Sequence, residues 1–492
     1  MPDELLHKGD IAVKDRLFIK LIIFAPCLMV LFRSLDNDIW WLLNSGRYVL
    51  QHGIPHIEPF TIHQGFHFVM QQWLSSVIFW VTYSHLGAVG IKVLVMLFYI
   101  MTVYIFYKLC MKVSENYFLV SFVVSFAAGY IISCDMTSRP YIFSTFFFAL
   151  EVFLLESYRL SNKIKYILFL PLLSVLLINL QAAMWPMLFV LLIPYVIESF
   201  KFKIGPFVSP GAEKKVLFSV IAAMIAVGFI NPYGLEAMTY LARTYGIATI
   251  NEHIREMQPA DITIFLGQLT FAGILAVILI FTKHGNGKKR LRYTLLAIGT
   301  AYLALSAIRS LPLFAICAFF PMAAYLKDFE PKIKQEPATK KTLRLRKILI
   351  VLIVITVTGL LVITNDSYKV KNRDIALLNN TIDYIIKNED VSKVTLFTEY
   401  KTGGMAEFKG IPGYMDARAE VFVKKENRKA DVLDEYFNMQ SGAVYYKDVL
   451  NKYHFTHILL TKDGILNVYL PHDSDYKLVY SNENYNLYER IK

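Results

Sequence analysis

Charged residues are scarce in this chain: Asp, Glu, Lys and Arg make up 18% of its 492 residues, against 55% hydrophobic residues. This is too little charge for an ordinary soluble protein, and a mean hydropathy of +0.43 predicts many membrane-spanning helices. Cysteine is also scarce. The four cysteines all lie in or beside hydrophobic segments, so the sequence contains neither a disulfide framework nor a CxxC metal signature.

Apolar runs long enough to cross a bilayer predict about eleven spans, and hence an α-helical polytopic membrane protein. These runs begin near Leu17, Val89, Tyr117, Tyr141, Tyr166, Met184, Val216, Ile264, Tyr293, Leu311 and Ile348. The first, Leu17 to Phe32, contains Lys20, and no small-residue cleavage site follows it. We therefore interpret it as a retained helix and not as a signal peptide.

Lysine and arginine are unevenly divided between alternate loops. One set of loops is rich in both, whereas the long loops 34–87 and 231–263 contain no lysine. The positive-inside rule therefore predicts a cytoplasmic N-terminus, and an odd number of spans places the chain after Thr364 outside. The basic loops also account for the net charge of +12, which needs no nucleic-acid partner.

Polar residues collect on the predicted outer side. They are Asp36, Asp38, Asp135, Arg139, Gln181, Asn231, Glu236, Arg255, Glu256 and Arg309, and all five tryptophans fall at or near the same side. Taken singly, each could be a solvated turn residue or an interfacial anchor. Because ionisable groups near a membrane usually pair or line a cavity, the whole set predicts one outward-facing cavity.

The composition turns polar from about Asn365, which predicts a membrane domain over residues 1–364 and a small extracytoplasmic α/β domain over residues 365–492. Ile375 to Ile386 has helical spacing, and three apolar runs resemble strands, namely 394–397, 457–460 and 477–480. Gly403, Gly404 and Gly413 are interpreted as turn residues. The run Asp416 to Glu420 is interpreted as a local salt-bridged turn, with a position facing the membrane site as the alternative.

Several short patterns resemble a bacterial family of multi-spanning membrane proteins placed with the GT-C superfamily of glycosyltransferases. The patterns are Asp36-x-Asp38-x-Trp40-Trp41, Gly46-Arg47-Tyr48, His52-Gly53-Ile54-Pro55-His56, Pro59-Phe60, Gln72-Trp73-Leu74, Arg139-Pro140, Asn179-Leu180-Gln181, Asn231-Pro232-Tyr233-Gly234-Leu235 and Asp416-Ala417-Arg418. The chain departs from the family at Gln181, where the pattern often has His. The resemblance covers most of the chain and implies an inverting transferase that takes sugar from a polyprenyl-phosphate carrier.

The resemblance also implies a catalytic acid in the first outer loop, which corresponds to Asp38 or Asp36 here. Such a transfer needs a carboxylate base for the acceptor hydroxyl and a cation for the departing lipid phosphate. Asp38 is our first choice of base and Asp36 the second. The candidate phosphate ligands are Arg139, Arg255 and Arg309, and the candidate substrate-binding residues are Trp40, Trp41, Trp73, Gln181, Asn231 and Glu256.

No metal ligand is assigned. A divalent metal stays open because His52, His56, His63 and His67 share a loop with the two acids, although Gly53 and Pro55 interrupt any helix that would align the first two. Two other functions also stay open: a lipid or polysaccharide transporter, and a non-catalytic scaffold that displays the outer domain. A transporter would carry its ionisable residues near the bilayer midplane, and a scaffold would not need the acids of the long loop.

Overall fold

The computed structural model describes residues 24–211, 214–283, 289–327 and 369–491. The first seven residues of the predicted span Leu17 to Phe32 lie outside these residues, as does the whole span beginning near Ile348. So do many of the basic residues on which the predicted orientation depends. The orientation and the number of spans therefore stay predictions, and the description below concerns the described residues.

The chain from Ala25 to Leu326 is mainly helical. Its helices are α1 (Ala25–Leu28), α2 (Ile39–His52), α3 (Trp73–Val113), α4 (Phe118–Asp135), α5 (Tyr141–Ser161), α6 (Leu170–Leu180), α7 (Trp185–Ser199), α8 (Lys214–Gly228), α9 (Leu235–Met238), α10 (Tyr240–Thr244), α11 (Ala248–His253), α12 (Phe265–Lys283), α13 (Leu291–Ser306) and α14 (Leu311–Leu326). A small hairpin, β1 (Lys201–Ile204) and β2 (Phe207–Pro210), follows α7.

Six of the described helical segments are long and apolar enough to cross a membrane, which identifies a multi-pass membrane protein. They are 73–113, 118–135, 141–161, 182–199, 265–283 and 308–326, and two shorter apolar helices cover 164–180 and 291–306. The segment ending at Leu326 is the most enclosed and packs against α3, α4, α12 and α13. It therefore forms the centre of the bundle.

The helix α3 is longer than the predicted span beginning near Val89. It runs for 41 residues from Trp73, and its backbone leaves helical geometry at Gly87, where φ is 61°. Only glycine adopts this left-handed region readily, so the break falls where the sequence predicts the end of the long loop.

Between α1 and α3 the loop folds into a compact unit around α2. This helix begins after Asp38 and ends at Gly53, as the breaker run at 52–55 predicts. The following segment is held by Glu58, whose carboxylate accepts the backbone N–H groups of Phe60 at 3.0 Å and Thr61 at 2.9 Å. The loop is therefore an ordered part of the protein and not a flexible connection.

The C-terminal region forms a small α/β domain, which confirms the predicted fold class. It contains a helix over residues 369–388, here α15, then β3 (Leu396–Phe397), α16 (Gly403–Phe408), α17 (Lys424–Asn427), α18 (Val432–Gln440), α19 (Tyr446–Tyr453), β4 (His457–Thr461), α20 (Leu466–Tyr469), β5 (Tyr476–Ser481) and β6 (Tyr485–Arg490). The sheet order is β3-β4-β6-β5, with β3 parallel to β4 and the other pairs antiparallel. The strand β6 was not predicted.

The interpretation of Gly403 and Gly404 as turn residues between strands is wrong. Both residues lie in the first turn of α16. A Cβ on Gly403 would lie 1.8 Å from the backbone oxygen of Met415, and one on Gly404 would lie 3.4 Å from Trp41. Glycine is needed here for close packing, which brings the C-terminal domain against the start of α2.

Candidate active site

A cavity of about 350 Å³ lies between the helical bundle, the long first loop and the C-terminal domain. Its wall comes from all three parts of the chain. The charged residues on it are Asp38, Asp135, Arg139, Glu256, Arg309, Arg418 and Glu420. Six of the ten polar residues that the sequence assigns to one cavity line this one, and the C-terminal domain closes one side of it.

Arg139 is the centre of the polar cluster at this cavity. Its Nη2 lies 3.2 Å from Asp36 Oδ1 and 3.2 Å from Asp38 Oδ2, and its Nη1 donates to Glu256 at 2.7 Å. Three carboxylates from two loops thus converge on one guanidinium, which compensates part of their charge.

The backbone fixes both aspartates. The N–H of Asp36 donates to Ser138 Oγ at 2.8 Å, and the N–H of Asp38 donates to Asp36 Oδ1 at 3.1 Å. Ser138 immediately precedes Arg139, so one short turn holds the loop and the guanidinium together. Asp38 lines the cavity, whereas Asp36 lies behind it and is 9% exposed.

The two aspartates differ in acidity. Burial raises the pKa of Asp38 to about 8, with Asp36 and Glu256 adding to the rise and Arg139 opposing it. Burial also acts to raise the pKa of Asp36, but the positive charges of Arg139 and Lys371 outweigh it and hold that pKa below its usual range. Burial thus favours the protonated form of Asp38, whereas the two cations favour the ionised form of Asp36.

Arg309 lies on the cavity wall without a carboxylate partner within 4.0 Å among the described residues. Its Nη1 contacts the sulfur of Met257 at 3.2 Å. A second, much smaller cavity adjoins the same place and shares Asp135, Glu256 and Arg309 with the large one. The rest of its wall is apolar, formed by Ile131, Leu266, Ile308, Leu311 and Pro312.

The C-terminal domain contributes Tyr400, Arg418 and Glu420 to the wall. Tyr400 donates its hydroxyl to the carbonyl of Ala417 at 2.7 Å. Burial raises the pKa of its phenol well above the usual value, and the charges of Asp38 and Glu420 add to this. Burial likewise raises the pKa of Glu420, partly offset by its own backbone N–H and by a hydrogen bond from Tyr240.

Arg418 anchors that wall to the long loop. Its Nη2 lies 3.0 Å from Glu58 Oε1 and 3.4 Å from Glu407 Oε2, and it also binds Asp416. The side chain is 2% exposed, so this cluster is sealed. The expected local salt bridge of the run at 416–420 is present, and the alternative also holds for Arg418 and Glu420, because both border the cavity.

The structure gathers six of the eleven predicted site residues on the cavity wall: Asp38, Trp41, Arg139, Gln181, Glu256 and Arg309. Asp36 lies directly behind them. Arg255 is exposed and is not part of the wall, although it adjoins Glu256 in sequence. Gln181 accepts the hydroxyl proton of Ser144 at 2.6 Å, so its amide is held in place.

Three predicted substrate-binding residues lie away from the wall and make structural contacts. Trp40 packs on Phe408 of the C-terminal domain, with ring centroids 5.4 Å apart. Trp73 donates its indole N–H to Asn179 at 3.0 Å. Asn231 shapes its own turn by donating to the carbonyls of Gly228 and Gly234.

The four loop histidines do not form a metal site in the described residues. Nε2 of His63 is 2.8 Å from the carbonyl oxygen of Tyr414, and His67 lies 3.2 Å from Glu236. His52 stacks on Tyr48, and the ring of His56 meets that of Tyr233 edge-on. One group with the chemistry of metal ligands does occur elsewhere, at Glu389, His457 and Glu489 in the C-terminal domain.

Asp135 was predicted only as a member of the outward-facing cavity, and Tyr240 and Tyr400 were not predicted to lie there. Asp135 carried a signal, because it is an acid in a short turn four residues before Arg139. Tyr400 lies in a run that gives no such signal, and only the packing of the C-terminal domain against α2 brings it to the cavity.

No family model matches the chain, and no curated protein matches its sequence. Solved structures do match it, and the chain shares its fold with an oligosaccharyltransferase and with ArnT. The oligosaccharyltransferase of Archaeoglobus fulgidus, solved with a tethered acceptor peptide containing the NVT sequon, superposes with a TM-score of 0.58 at 11% identity. The superposition covers 90% of this chain and 69% of that one.

A second structure of that oligosaccharyltransferase, in complex with Zn and sulfate, has a TM-score of 0.56 and 11% identity over 89% of this chain and 68% of the other. ArnT from Cupriavidus metallidurans, bound to undecaprenyl phosphate, gives a TM-score of 0.51 at 9% identity. This match covers 96% of this chain and 97% of ArnT. At such low identity the similarity concerns the fold, and the chemistry must be argued from the cavity.

Proposed function

We propose that this chain is an inverting glycosyltransferase that moves a sugar from a polyprenyl-phosphate carrier to an acceptor hydroxyl at the extracytoplasmic face. One observation carries the proposal: an acid of high pKa, Asp38, faces the cavity of a GT-C fold while a second acid and Arg139 hold it in place. The oligosaccharyltransferase and ArnT, which share the fold, support this choice of reaction.

In the proposed reaction the acceptor oxygen attacks the anomeric carbon of the carrier-linked sugar, and its proton passes to Asp38. The bond between the anomeric carbon and the phosphate oxygen breaks, and polyprenyl phosphate leaves with the electron pair. A base works best when its pKa is near the working pH, which suits Asp38. Asp36 stays ionised and keeps Arg139 and the backbone of Asp38 in position.

Arg309 is the residue that we assign to the carrier phosphate. Arg139 is already bonded to three carboxylates, whereas Arg309 has none within 4.0 Å among the described residues. The small cavity lined by Ile131, Leu266 and Pro312 adjoins Arg309, so apolar side chains border the phosphate site where the polyprenyl chain would begin. Arg255 has no role in this proposal.

The acceptor is placed against the C-terminal domain. Tyr400 and Glu420 of that domain line the same cavity as Asp38, and both offer groups that hydrogen-bond a hydroxyl. Removal of this domain should therefore impair use of the acceptor more than binding of the lipid-linked donor. The acceptor is a glycan, a lipid or a protein that reaches this face of the membrane.

A divalent metal at the three carboxylates does not fit the arrangement as it stands. Arg139 occupies the space between Asp36, Asp38 and Glu256, and an ion bound by all three would have to displace its guanidinium. The proposed reaction therefore contains no step through a metal ion at these acids.

The test is to profile lipid-linked sugars by mass spectrometry in cells that carry the wild-type chain, Asp38→Asn, Asp261→Asn or no chain. Asp261 is an exposed acid whose carboxylate accepts a hydrogen bond from the backbone N–H of Thr263, and its variant serves as the control. We expect one polyprenyl-phosphate sugar to accumulate equally without the chain and with Asp38→Asn, and not with Asp261→Asn. Unchanged lipid-linked sugars in all four strains would refute the proposal, and unequal distribution of an unmodified lipid across the membrane would instead favour a transporter.

A further inference from the structure

Three metal-ligating side chains meet at one end of the C-terminal domain, far along the chain from the cavity acids. One ligand atom from each of Glu389, His457 and Glu489 lies within 4.8 Å of the other two. None of these residues lines the cavity described above. The group is therefore separate from the proposed transferase site.

The fold explains why these side chains meet. His457 and Glu489 are directly opposite each other in the antiparallel pair β4–β6, and Leu459 and Leu487 are the next pair on the same face. The helix α15 packs its apolar side on this face through Ile382 and Ile385, among others. The helix α15 covers part of this sheet face and ends at residue 388. Glu389 follows directly and lies at the edge of the covered part, next to His457 and Glu489.

The charges of this group have little local compensation. Two carboxylates lie beside the C-terminal end of a helix, where the helix dipole already disfavours negative charge. Among the described residues, no lysine, arginine or histidine comes within 4.0 Å of either carboxylate. Lys477 is opposite Glu489 in the β5–β6 pair but forms no ion pair with it at that distance. A cation in the gap would relieve this repulsion.

His457 supplies the second and independent observation. Its side chain is 4% exposed, and Nδ1 lies 3.1 Å from the hydroxyl of Thr456. A hydrogen bond of this kind on one ring nitrogen fixes the orientation of a metal-binding imidazole and leaves Nε2 to coordinate. The hydrogen bonds of the described residues include one to Nδ1 and none to Nε2, and Nε2 is not one of the fully buried atoms that lack a partner, so an ion can reach it.

We propose that Glu389, His457 and Glu489 bind a divalent transition-metal ion, with zinc as the best match for one imidazole and two carboxylates. Zinc binds these ligands at about 2.0–2.2 Å, so the three side chains draw together by roughly 1 Å on binding. Water completes the coordination on the exposed side of Glu389. We assign the site a structural role, because its residues line neither of the two cavities described above.

The ion would fix one end of a helix whose other end reaches the acids of the cavity. Lys371, in the first turn of α15, places its Nζ 4.0 Å from Asp36 Oδ2. A helix over residues 369–388 is about 30 Å long, so the metal acts at a distance as a brace and does not take part in the chemistry. The proposed site does not depend on the transferase proposal.

The test uses the full-length protein in detergent, stripped of metal with a chelator and titrated with zinc against a chromophoric competitor. The variants are Glu389→Gln, Glu489→Gln and the control Glu483→Gln, an exposed glutamate of the same domain whose ion pair with Arg373 is worth little. We expect one zinc ion per chain, at least about tenfold weaker binding in the two site variants, and no change in the control. Zinc should also raise the melting temperature of the wild type and the control only.

Two results would overturn the proposal. One is the absence of saturable zinc binding to the wild-type chain. The other is undiminished zinc binding when Glu389→Gln and Glu489→Gln are combined, which would place the ion elsewhere. In that case, loss of binding in Glu256→Gln would locate the ion at the cavity. Because both glutamates are at least partly exposed, their substitution by glutamine should leave the domain folded.

Discussion

Two arginines lie at opposite ends of α5, and each is bonded to more than one carboxylate. Arg139, just before the helix, holds acids of the first loop, whereas Arg292 reaches the far end of α5 at Glu156. Arg292 donates to Glu156 at 2.7 Å and to Glu198 at 2.6 Å, and its side chain is 5% exposed. The side chain of Arg139 is 31% exposed and borders the cavity.

The two clusters differ in whether they border a cavity and in how completely their carboxylates are compensated. Tyr195 and Tyr293 donate their hydroxyls to Glu156, so that carboxylate has several hydrogen-bond donors and no exposed surface. At the other end Asp38 is left with a high pKa and an open side towards the cavity. A buried ion cluster is therefore a sign of function only where a substrate can reach one of its members, and the predictions below depend on this distinction.

The largest effect is expected for Asp38→Asn. The amide keeps the shape of the side chain but cannot accept the acceptor proton, and loss of a general base typically lowers the rate by about 10²–10⁴-fold. Transfer is measured with the purified protein in vesicles that contain the lipid-linked sugar identified by the profiling. Asp36→Asn should have a smaller effect. Full activity of the well-folded Asp38→Asn protein, with loss in Asp36→Asn, would reverse the two roles.

The buried cluster around Arg292 should contribute to the thermal stability of the protein. Arg292→Met leaves Glu156 and Glu198 buried without their cation, and breaking such a pair costs about 3–5 kcal/mol. Thermal unfolding in detergent should show this loss, whereas Arg159→Met should cost less because Arg159 lies 3.6 Å from Glu198 and is more exposed. Equal melting temperatures for the two variants would mean that the network contributes little.

Arg309→Gln should lower transfer by about 10²–10³-fold, the usual cost of removing a group that stabilises developing charge. Arg255→Gln is the matched control and should leave the rate unchanged, because Arg255 is exposed and off the wall. Initial rates are compared at saturating lipid-linked donor. Loss of activity in Arg255→Gln with an active Arg309→Gln enzyme would exchange the two assignments.

The smallest expected effect concerns pH. Asp38 must be deprotonated to accept a proton, so the rate should rise about tenfold per pH unit and level off above pH 8, where its pKa of about 8 is passed. Glu256→Gln removes a negative charge that raises this pKa, so the inflection should move to lower pH. A rate that falls between pH 6 and 8 would contradict a base with this acidity.

The sequence alone was sufficient to predict the fold class and part of the cavity wall. Acids and an arginine at a membrane boundary, together with the uneven lysines, predicted that Asp38, Arg139, Glu256 and Arg309 share a cavity, and the structure brings them together. Hydropathy and residue type carry this information because each residue flanks an apolar run. The same reasoning could not separate Arg309 from Arg255, since it says nothing about which side of a short turn faces inward.

The other half of the site depends on contacts between distant parts of the chain. Tyr400 and Glu420 reach the cavity only because α16 packs closely on Trp41 through Gly404, and glycines in a polar region more often indicate a turn. The predictions for Trp73 and Asn231 show the opposite error: both were expected to bind substrate, but both make structural contacts away from the cavity. Aromatic and amide residues serve loops and substrates equally well, and only their partners, Asn179 and the backbone of a turn, decide between the two.

The bond between Arg418 and Glu58 also sets an order of events during synthesis. These residues are 360 positions apart, and the first loop leaves the ribosome long before the wall that completes the cavity. At about 5–20 residues per second, roughly 20–70 seconds separate the two. Throughout that interval the cavity lacks the part of its wall that Tyr400 and Glu420 supply. Under the proposed function, a nascent chain already inserted in the bilayer therefore cannot yet transfer sugar, and catalytic competence begins only when Arg418 has folded against the first loop.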